Sequence, residues 1–389
     1  MNGKPFLISG GGIAGLAASL GLGRVGRPSQ VFEQAQGFEE VGAGLQMSPN
    51  GVRALQWLGA WEAVEPACVI PTEIHVRDGR SGGLLQRMRL GKPFEERFGA
   101  PYRVCHRADL LDGLVQTARR TPAIELNTGR RAVSVTSEAD GAELTLENGE
   151  ARHGSAVIAA DGIRSRLREL VCGPAEPVFR GHAIFRALIT FASVPPAIEA
   201  DCVTLWLYPG GHVVHYPVSN WRDFNIAAAI DSLPLAEGWS RPADGERLRD
   251  VFADADDTLS SLLAAPRSWF TWAGADLPDL QRWSNGNVLL AGDAAHATLP
   301  YLAQGAVMAL EDACCLAGHI QRTTHLPEAF AAHEAERRPR VTRIQAESRK
   351  LGKLYHARGI TALVRNLGMA AMGQDAAIQR NRWIYGWRP

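Results

Sequence analysis

Gly10-Gly11-Gly12-Ile13-Ala14-Gly15 follows the apolar run Phe6-Leu7-Ile8 and opens a helix-like stretch over 13–22. Strand, glycine turn and helix in that order are the setting a dinucleotide fingerprint requires. Gly10 permits the tight turn. Gly12 lets the backbone approach a pyrophosphate with no Cβ in the way, and Gly15 allows close helix–strand packing. The phosphates would lie at the helix N-terminus, where unpaired N–H groups and about half a positive charge favour an anion. A second strand is expected at Gln30-Val31-Phe32, ending at Glu33, 18 residues beyond Gly15. An acidic side chain there accepts hydrogen bonds from a ribose diol. The alternative is an ordinary βα turn of an α/β protein.

Two more glycine-bearing segments follow in a fixed order. Asp161-Gly162-Ile163-Arg164-Ser165-Arg166-Leu167-Arg168 comes after the apolar run 156–160, and Gly292-Asp293-Ala294-Ala295-His296 comes after 288–291. Short unbroken apolar runs ending in turn residues read as buried parallel strands. Together the three segments indicate a chain that wraps a flavin dinucleotide. Asp293, at a strand's C-terminal end, can accept hydrogen bonds from a ribityl chain; it can equally N-cap the next helix. Asp161 could simply cap a helix starting near Ile163. His106-Arg107-Ala108-Asp109-Leu110 opens a helix expected to reach 119, so the Arg107 guanidinium could meet phosphate or ribityl oxygens, or form a surface salt bridge. No second fingerprint of this kind occurs in strand–turn–helix context.

Bulk properties narrow the setting. A length of 389 residues suits two or three domains, or one with a large insertion. Net charge is +0 with no basic block, which argues against nucleic acid or an anionic membrane as partner. The six cysteines show no CxxC spacing, as expected of reduced thiols in a cytoplasmic protein, and no metal site is expected. The apolar N-terminus lacks a basic n-region, and no run of about 20 apolar residues predicts a spanning helix.

Beyond Pro177 the pattern changes. Successive antiparallel strands are expected at 184–191, 203–208, 212–218 and 224–230, and the chain reads as helical from Gln304 almost to its end. A helix is expected near 49–58 and a short β meander over 126–146. The expected fold is α/β: a Rossmann-like FAD-binding domain with an inserted, mostly antiparallel β substrate domain and a helical C-terminus. Residues 1–75, 98–177 and 270–325 are assigned to the first, 76–97 and 178–269 to the second, and 326–389 to the third.

The reaction site is expected in the inserted region. After the turn Pro209-Gly210-Gly211, the strand His212-Val213-Val214-His215-Tyr216 alternates. His212, Val214 and Tyr216 share one face; Val213 and His215 take the other. Two polar groups flanking an apolar residue suit a flat aromatic ring bearing a hydroxyl. The alternative is a pair of half-exposed sheet residues.

These residues together resemble the class A flavoprotein monooxygenases of the para-hydroxybenzoate hydroxylase type. The likeness covers nearly the whole chain: GGGIAG at 10–15, HRADL at 106–110, DGIRSRLR at 161–168 and GDAAHATLPYLAQGA at 292–306. Within that family the chain looks most like the single-component salicylate and 3-hydroxybenzoate hydroxylases, through GAGLQMSPNG at 42–51, HVVHYPV at 212–218 and WIYGW at 383–387. The resemblance implies non-covalent FAD held by Gly10, Gly12, Ala14, Gly15, Glu33, Arg107, Asp161, Asp293, Gly305 and Ala306. It implies NADH or NADPH as a transient co-substrate, O2, and hydroxylation of a small aromatic through a flavin 4a-hydroperoxide, by a monomer or homodimer. His212 and Tyr216 would be catalytic, with Val214 and Pro300 completing the pocket. His296 is expected to be structural. Ala297 stands where the family usually has proline, and Pro300 where some relatives have a polar side chain. A flavin reductase or dehydrogenase, or a non-catalytic flavin-binding protein, would share the FAD motifs but need no hydroxyl-activating pair. A halogenase would carry a WxWxIP-like segment, which is absent from the sequence.

Overall fold

In the computed structural model, which describes residues 4–38, 43–232 and 240–389, the first apolar run is strand Phe6–Ser9. It lies between Ala156–Ala159 and Ser29–Phe32 and runs parallel to both. Val288–Leu290 pairs parallel on the far side of Ala156–Ala159, and Ile124–Asn127 on the far side of Ser29–Phe32. Ser284–Asn285 closes one edge antiparallel, giving six strands. The central strands are covered on both faces, which is why their sequences are unbroken apolar runs. Residues 126–127, expected to open a meander, instead end the parallel edge strand Ile124–Asn127. The antiparallel trio is Ala132–Glu138, Gly141–Leu146 and Ala151–Gly154.

Helix Ile13–Arg24 is apolar around almost its whole circumference and buried accordingly. It packs on helix Gly305–Arg322, which in turn packs on the long helix Leu326–Tyr355. The expected helix at Pro49–Leu58 and that at Arg107–Arg119 both form. Asp161, however, caps no helix at Ile163. Gly162 has φ +83°, the chain turns, and the helix is Leu167–Cys172. The Asp161 carboxylate accepts from the N–H groups of Arg166 (3.1 Å) and Leu167 (3.4 Å), so it serves that later start.

The second large sheet has eight strands, in the order Ser240–Ala243, Trp269–Asp276, Val178–Thr190, Asp223–Asp231, Gly211–Val218, Val203–Tyr208, Glu73–Asp78 and Leu84–Arg89. All pairs are antiparallel except Val203–Tyr208 with Glu73–Asp78. Pairing thus carries this sheet from 73 and up to 276, past the expected limits at 76 and 269; a domain division at those strand ends is our proposal. One face packs on Glu246–Val251 and Asp257–Ala264 through Val213, Trp206, Ile226, Leu248, Phe252 and Leu259. The other faces the helical and dinucleotide-type parts. Between them lies the two-stranded pair Gly44–Met47 and Arg103–His106. Gly42, which begins one of the quoted motifs, lies outside the described residues.

Candidate active site

Because five strands run parallel, their C-terminal ends emerge along one edge. Ser9 pairs with Ala159 and Phe32, and Ala159 with Leu290. Gly10, Glu33, Asp161 and Asp293 therefore lie just beyond one sheet edge, where open α/β sheets bind ligands. Gly10 has φ +102°, and a Cβ there would sit 2.3 Å from the Ala160 carbonyl oxygen. A Cβ at Gly15 would sit 1.9 Å from the Gly10 oxygen, so the helix must start this close to the turn. At Gly12 a Cβ would meet nothing within 4 Å, which leaves open space before the helix N-terminus. The Glu33 carboxylate accepts from Gly11 N–H (2.7 Å) and Ala35 N–H (2.8 Å), which fixes it against the glycine turn.

The late motif closes on the first. A Cβ at Gly292 would come within 2.5 Å of the Ala14 Cβ. Asp293 begins the short helix Asp293–His296 but does not cap it; Gly292 holds the N-cap position and the Asp293 side chain is exposed. Burial lowers the pKa of the half-buried Arg107 guanidinium, and the charge of Asp293 opposes that shift. Arg107 and Asp293 therefore share one electrostatic neighbourhood. Gly305 and Ala306 start the 18-residue helix on the same rim and are half-exposed. Asp161 Oδ1 is buried with no hydrogen-bond partner among the described residues, an acceptor suited to a ligand hydroxyl. Arg168 has a different task. Its guanidinium donates to the carbonyls of Ala294 (2.9 Å), Ala175 (3.0 Å) and Gly162 (3.3 Å), tying the middle motif to the late one. His296 is likewise internal, with Nε2 2.6 Å from Asp312 Oδ2. An open glycine cradle, two helix N-termini, an orphan acceptor and an Arg107 that senses the charge of Asp293 fit a flavin dinucleotide.

On the eight-stranded sheet the alternation holds. His215 points to the helix-covered face and accepts from Trp206 Nε1 at 2.9 Å. His212 points the other way, toward Tyr301 and Tyr355, with ring centroids 5.2 and 5.3 Å distant. Tyr216 joins the cluster of Tyr102, Phe94, Phe98 and Tyr385, with half-buried Val214 against it. Tyr385 brings the C-terminal WIYGW segment behind this wall. Pro300 is exposed, and its neighbour Tyr301 is the residue that packs on His212. A Cβ at Gly44 would lie 2.6 Å from the Tyr216 ring, so the small strand pair presses directly on the site.

Electrostatics set the protonation states. Burial, reinforced by His356 and His182, drives the His212 pKa well below the usual imidazole range, so the ring is neutral. Burial pushes the Tyr216 phenol up, with Cys105 adding and Arg186 and Gln46 opposing, so it remains an O–H donor. Sequence reasoning passed over Arg186, Gln46 and Tyr102. Tyr102 donates to Gln46 Oε1 at 2.7 Å. Arg186 is half-buried, its Nε covered and without a hydrogen-bond partner among the described residues. Burial lowers its pKa, Tyr216 counters that, and Arg107 adds to it. Arg186 thus stands beside Tyr216, with Arg107 close enough to act on Arg186. Gln46 sat within a quoted motif; a lone arginine in a strand carried no signal.

Comparison with known proteins agrees with this geometry. The family described as FAD binding domain matches residues 4–348. The 3-hydroxybenzoate 6-hydroxylase of Polaromonas naphthalenivorans (strain CJ2) is 35% identical over 384 residues, covering 98% of this chain and 96% of that protein. Klebsiella pneumoniae HpxO complexed with FAD and uric acid superposes with a TM-score of 0.86 at 27% identity, over 98% of this chain and 96% of that one. A salicylate hydroxylase substrate complex gives 0.84 at 26%, over 99% and 96%. The chain belongs to the FAD-binding-domain family. Within it, it is an FAD-dependent aromatic monooxygenase.

Proposed function

We propose that the chain hydroxylates a small aromatic bearing a phenolic hydroxyl and a carboxylate, of the hydroxybenzoate type, with NADH or NADPH and dioxygen. The arrangement on one sheet face carries this reading: neutral His212, protonated Tyr216, and the Arg186 cation beside Tyr216 with its buried Nε unpartnered. The substrates in the relatives' names support it, since 3-hydroxybenzoate and salicylate both combine those two groups.

FAD, once reduced by NAD(P)H, supplies the activation of dioxygen. Gly10, Gly12, Ala14, Gly15, Glu33, Arg107, Asp161, Asp293, Gly305 and Ala306 would hold it. The chain's own side chains orient the ring and manage its proton. Between ordinary values, moving a phenolic proton to an imidazole runs about 3.5 pKa units uphill, on the order of 5 kcal/mol, and the lowered pKa of His212 makes the step steeper. Nearby Arg186 and Arg107 reduce that cost by favouring an anion. Tyr301 and Tyr355 pack on His212 and keep water from it. A cytoplasmic location belongs to the same proposal, supported by six cysteines that remain free thiols. Among the described residues no helix is long and apolar enough to cross a membrane.

The Arg186→Leu variant tests the carboxylate. A hydrogen bond to a charged group contributes about 1.5–3 kcal/mol, so Kd for 3-hydroxybenzoate should rise about 10–100-fold. Kd for 3-hydroxybenzyl alcohol, which lacks the carboxylate, should stay within about twofold, with FAD content unchanged. Equal losses for both ligands would remove Arg186 from substrate recognition.

A further inference from the structure

His212 does not end at the pocket. Its Nδ1 lies 2.9 Å from Nε2 of His356, which is only 6% exposed. The other nitrogen of that ring, Nδ1, lies 2.6 Å from Asp231 Oδ1. Asp231 ends its strand at the surface, with 44% of its side chain exposed, and its second oxygen accepts from Arg358 at 3.0 Å. Three groups thus lead in single file from the buried face of the sheet to solvent. We propose that His356 and Asp231 are positioning residues that set the tautomer of His212 and relay the substrate's phenolic proton out of the pocket. The inference rests on the reading that His212 faces the substrate hydroxyl.

Burial alone would raise the Asp231 pKa, but hydrogen bonds from His356 and Arg358 outweigh it and hold the carboxylate ionised. A carboxylate only accepts, so His356 must carry its proton on Nδ1. With its proton there, the His356 ring offers the lone pair of Nε2 to His212 Nδ1–H, 2.9 Å away. His212 is left with a free lone pair on Nε2, the tautomer a base requires. When the phenol O–H bond breaks, its proton binds His212 Nε2. The Nδ1 proton passes to His356 Nε2, and the His356 Nδ1 proton passes to Asp231, which then donates its O–H back to His356 Nδ1 at the solvent edge. The pocket then holds phenolate and neutral His212. A charged imidazolium, which this buried site disfavours, need not accumulate.

The surroundings agree. The other groups around the chain are His182, Tyr301, Tyr355 and Arg358. His182 is pushed down to about 4 by burial and by His356, with Asp231 opposing, so it adds no charge at neutral pH. Its Nδ1 is 2.6 Å from the Tyr301 hydroxyl. Burial pushes the phenols of Tyr301 and Tyr355 up, so both remain neutral. A metal ion held by His182, Asp231 and His356 does not account for the cluster: 2.6 Å between His356 and Asp231 is a hydrogen bond, too short for two ligands each about 2 Å from a shared cation.

Asp231→Asn keeps the shape and removes the obligate acceptor. The probe is 3-hydroxybenzoate bound to the oxidised, FAD-loaded full chain, with ionisation followed by the ultraviolet difference between phenol and phenolate. The pH at which half the bound ligand is ionised should rise by at least about one unit. Hydroxylation at neutral pH should fall at least tenfold and recover as pH is raised. Asp231→Glu should restore both. His356→Gln, used if Asp231→Asn loses FAD, should give the same shift. Unchanged ionisation and pH profile in the variants would overturn the relay alone. A wild-type protein that binds no phenol would overturn the substrate reading and the relay with it.

Discussion

Replacing His212 by alanine is expected to lower ring hydroxylation by about 10²–10⁴-fold, the range for losing an acid–base group, with FAD content at the wild-type level. His215→Ala should cost far less. The two residues have the same chemistry and lie three positions apart on one strand, so the comparison isolates direction. His212 shares its face with Tyr216 and meets Tyr301 and His356; His215 is spent on Trp206 behind the sheet. Losing that acceptor leaves the indole N–H unpaired and costs about 1–3 kcal/mol of stability, so rates must be expressed per FAD-bound molecule. Hydrogen peroxide should be measured alongside product, because a misplaced ring uncouples NAD(P)H oxidation from hydroxylation. A larger loss at His215 would show that the proposed pair is not the reacting one.

The Arg337→Leu variant is expected to lose about 3–5 kcal/mol of unfolding free energy, the range for breaking a buried ion pair. Arg337 is 1% exposed and stands between Glu311 (2.7 Å) and Asp312 (2.6 Å). Glu311 also accepts from Asn50 and Arg340, and Asp312 pairs with His296. Removing the cation would leave two adjacent buried carboxylates with only Asn50, Arg340 and His296 to compensate them. Arg338→Leu, which removes a partly exposed cation near Glu334 and Asp279, should cost no more than about 1 kcal/mol. Urea unfolding of the FAD-loaded proteins compares them. Burial alone would raise the Asp312 pKa, but His296 and Arg337 hold it far below the ordinary carboxylate range. A depressed folded-state pKa stabilises fully above the unfolded value, about 3.9, and that stability is lost as pH falls below it. The gap between wild type and Arg337→Leu should therefore narrow in acid.

What the sequence revealed and what it hid have the same cause. Glu33, Asp161 and Asp293 were legible because each follows a short apolar strand, and parallel pairing must bring such ends to one edge. The direction of His212 was legible because a strand has a period of two. Where local pattern is weak, tertiary pairing decides. Residues 124–127 look like any short alternating strand, and only tertiary pairing with Ser29–Phe32 puts them in the parallel sheet. Trp269–Asp276 lies close to the cofactor segments in sequence yet pairs with Val178–Thr190. Arg186, His356 and Asp231 come from distant segments, and no spacing rule links them. Arg53 is a similar case: it reaches the carbonyls of Phe98, Tyr385 and Trp387, anchoring the C-terminal segment behind the pocket.

Oxygen insertion is tested most directly by supplying isotopically labelled dioxygen to the FAD-loaded protein with NADH or NADPH and 3-hydroxybenzoate. Oxygen uptake is followed and the product is weighed by mass spectrometry. Uptake should depend on the phenol, and each product molecule should carry one labelled oxygen on the ring, in near-equal amount to NAD(P)H consumed. NAD(P)H oxidation that yields only hydrogen peroxide, with the phenol recovered unchanged across hydroxybenzoates, would contradict it and leave a flavin reductase.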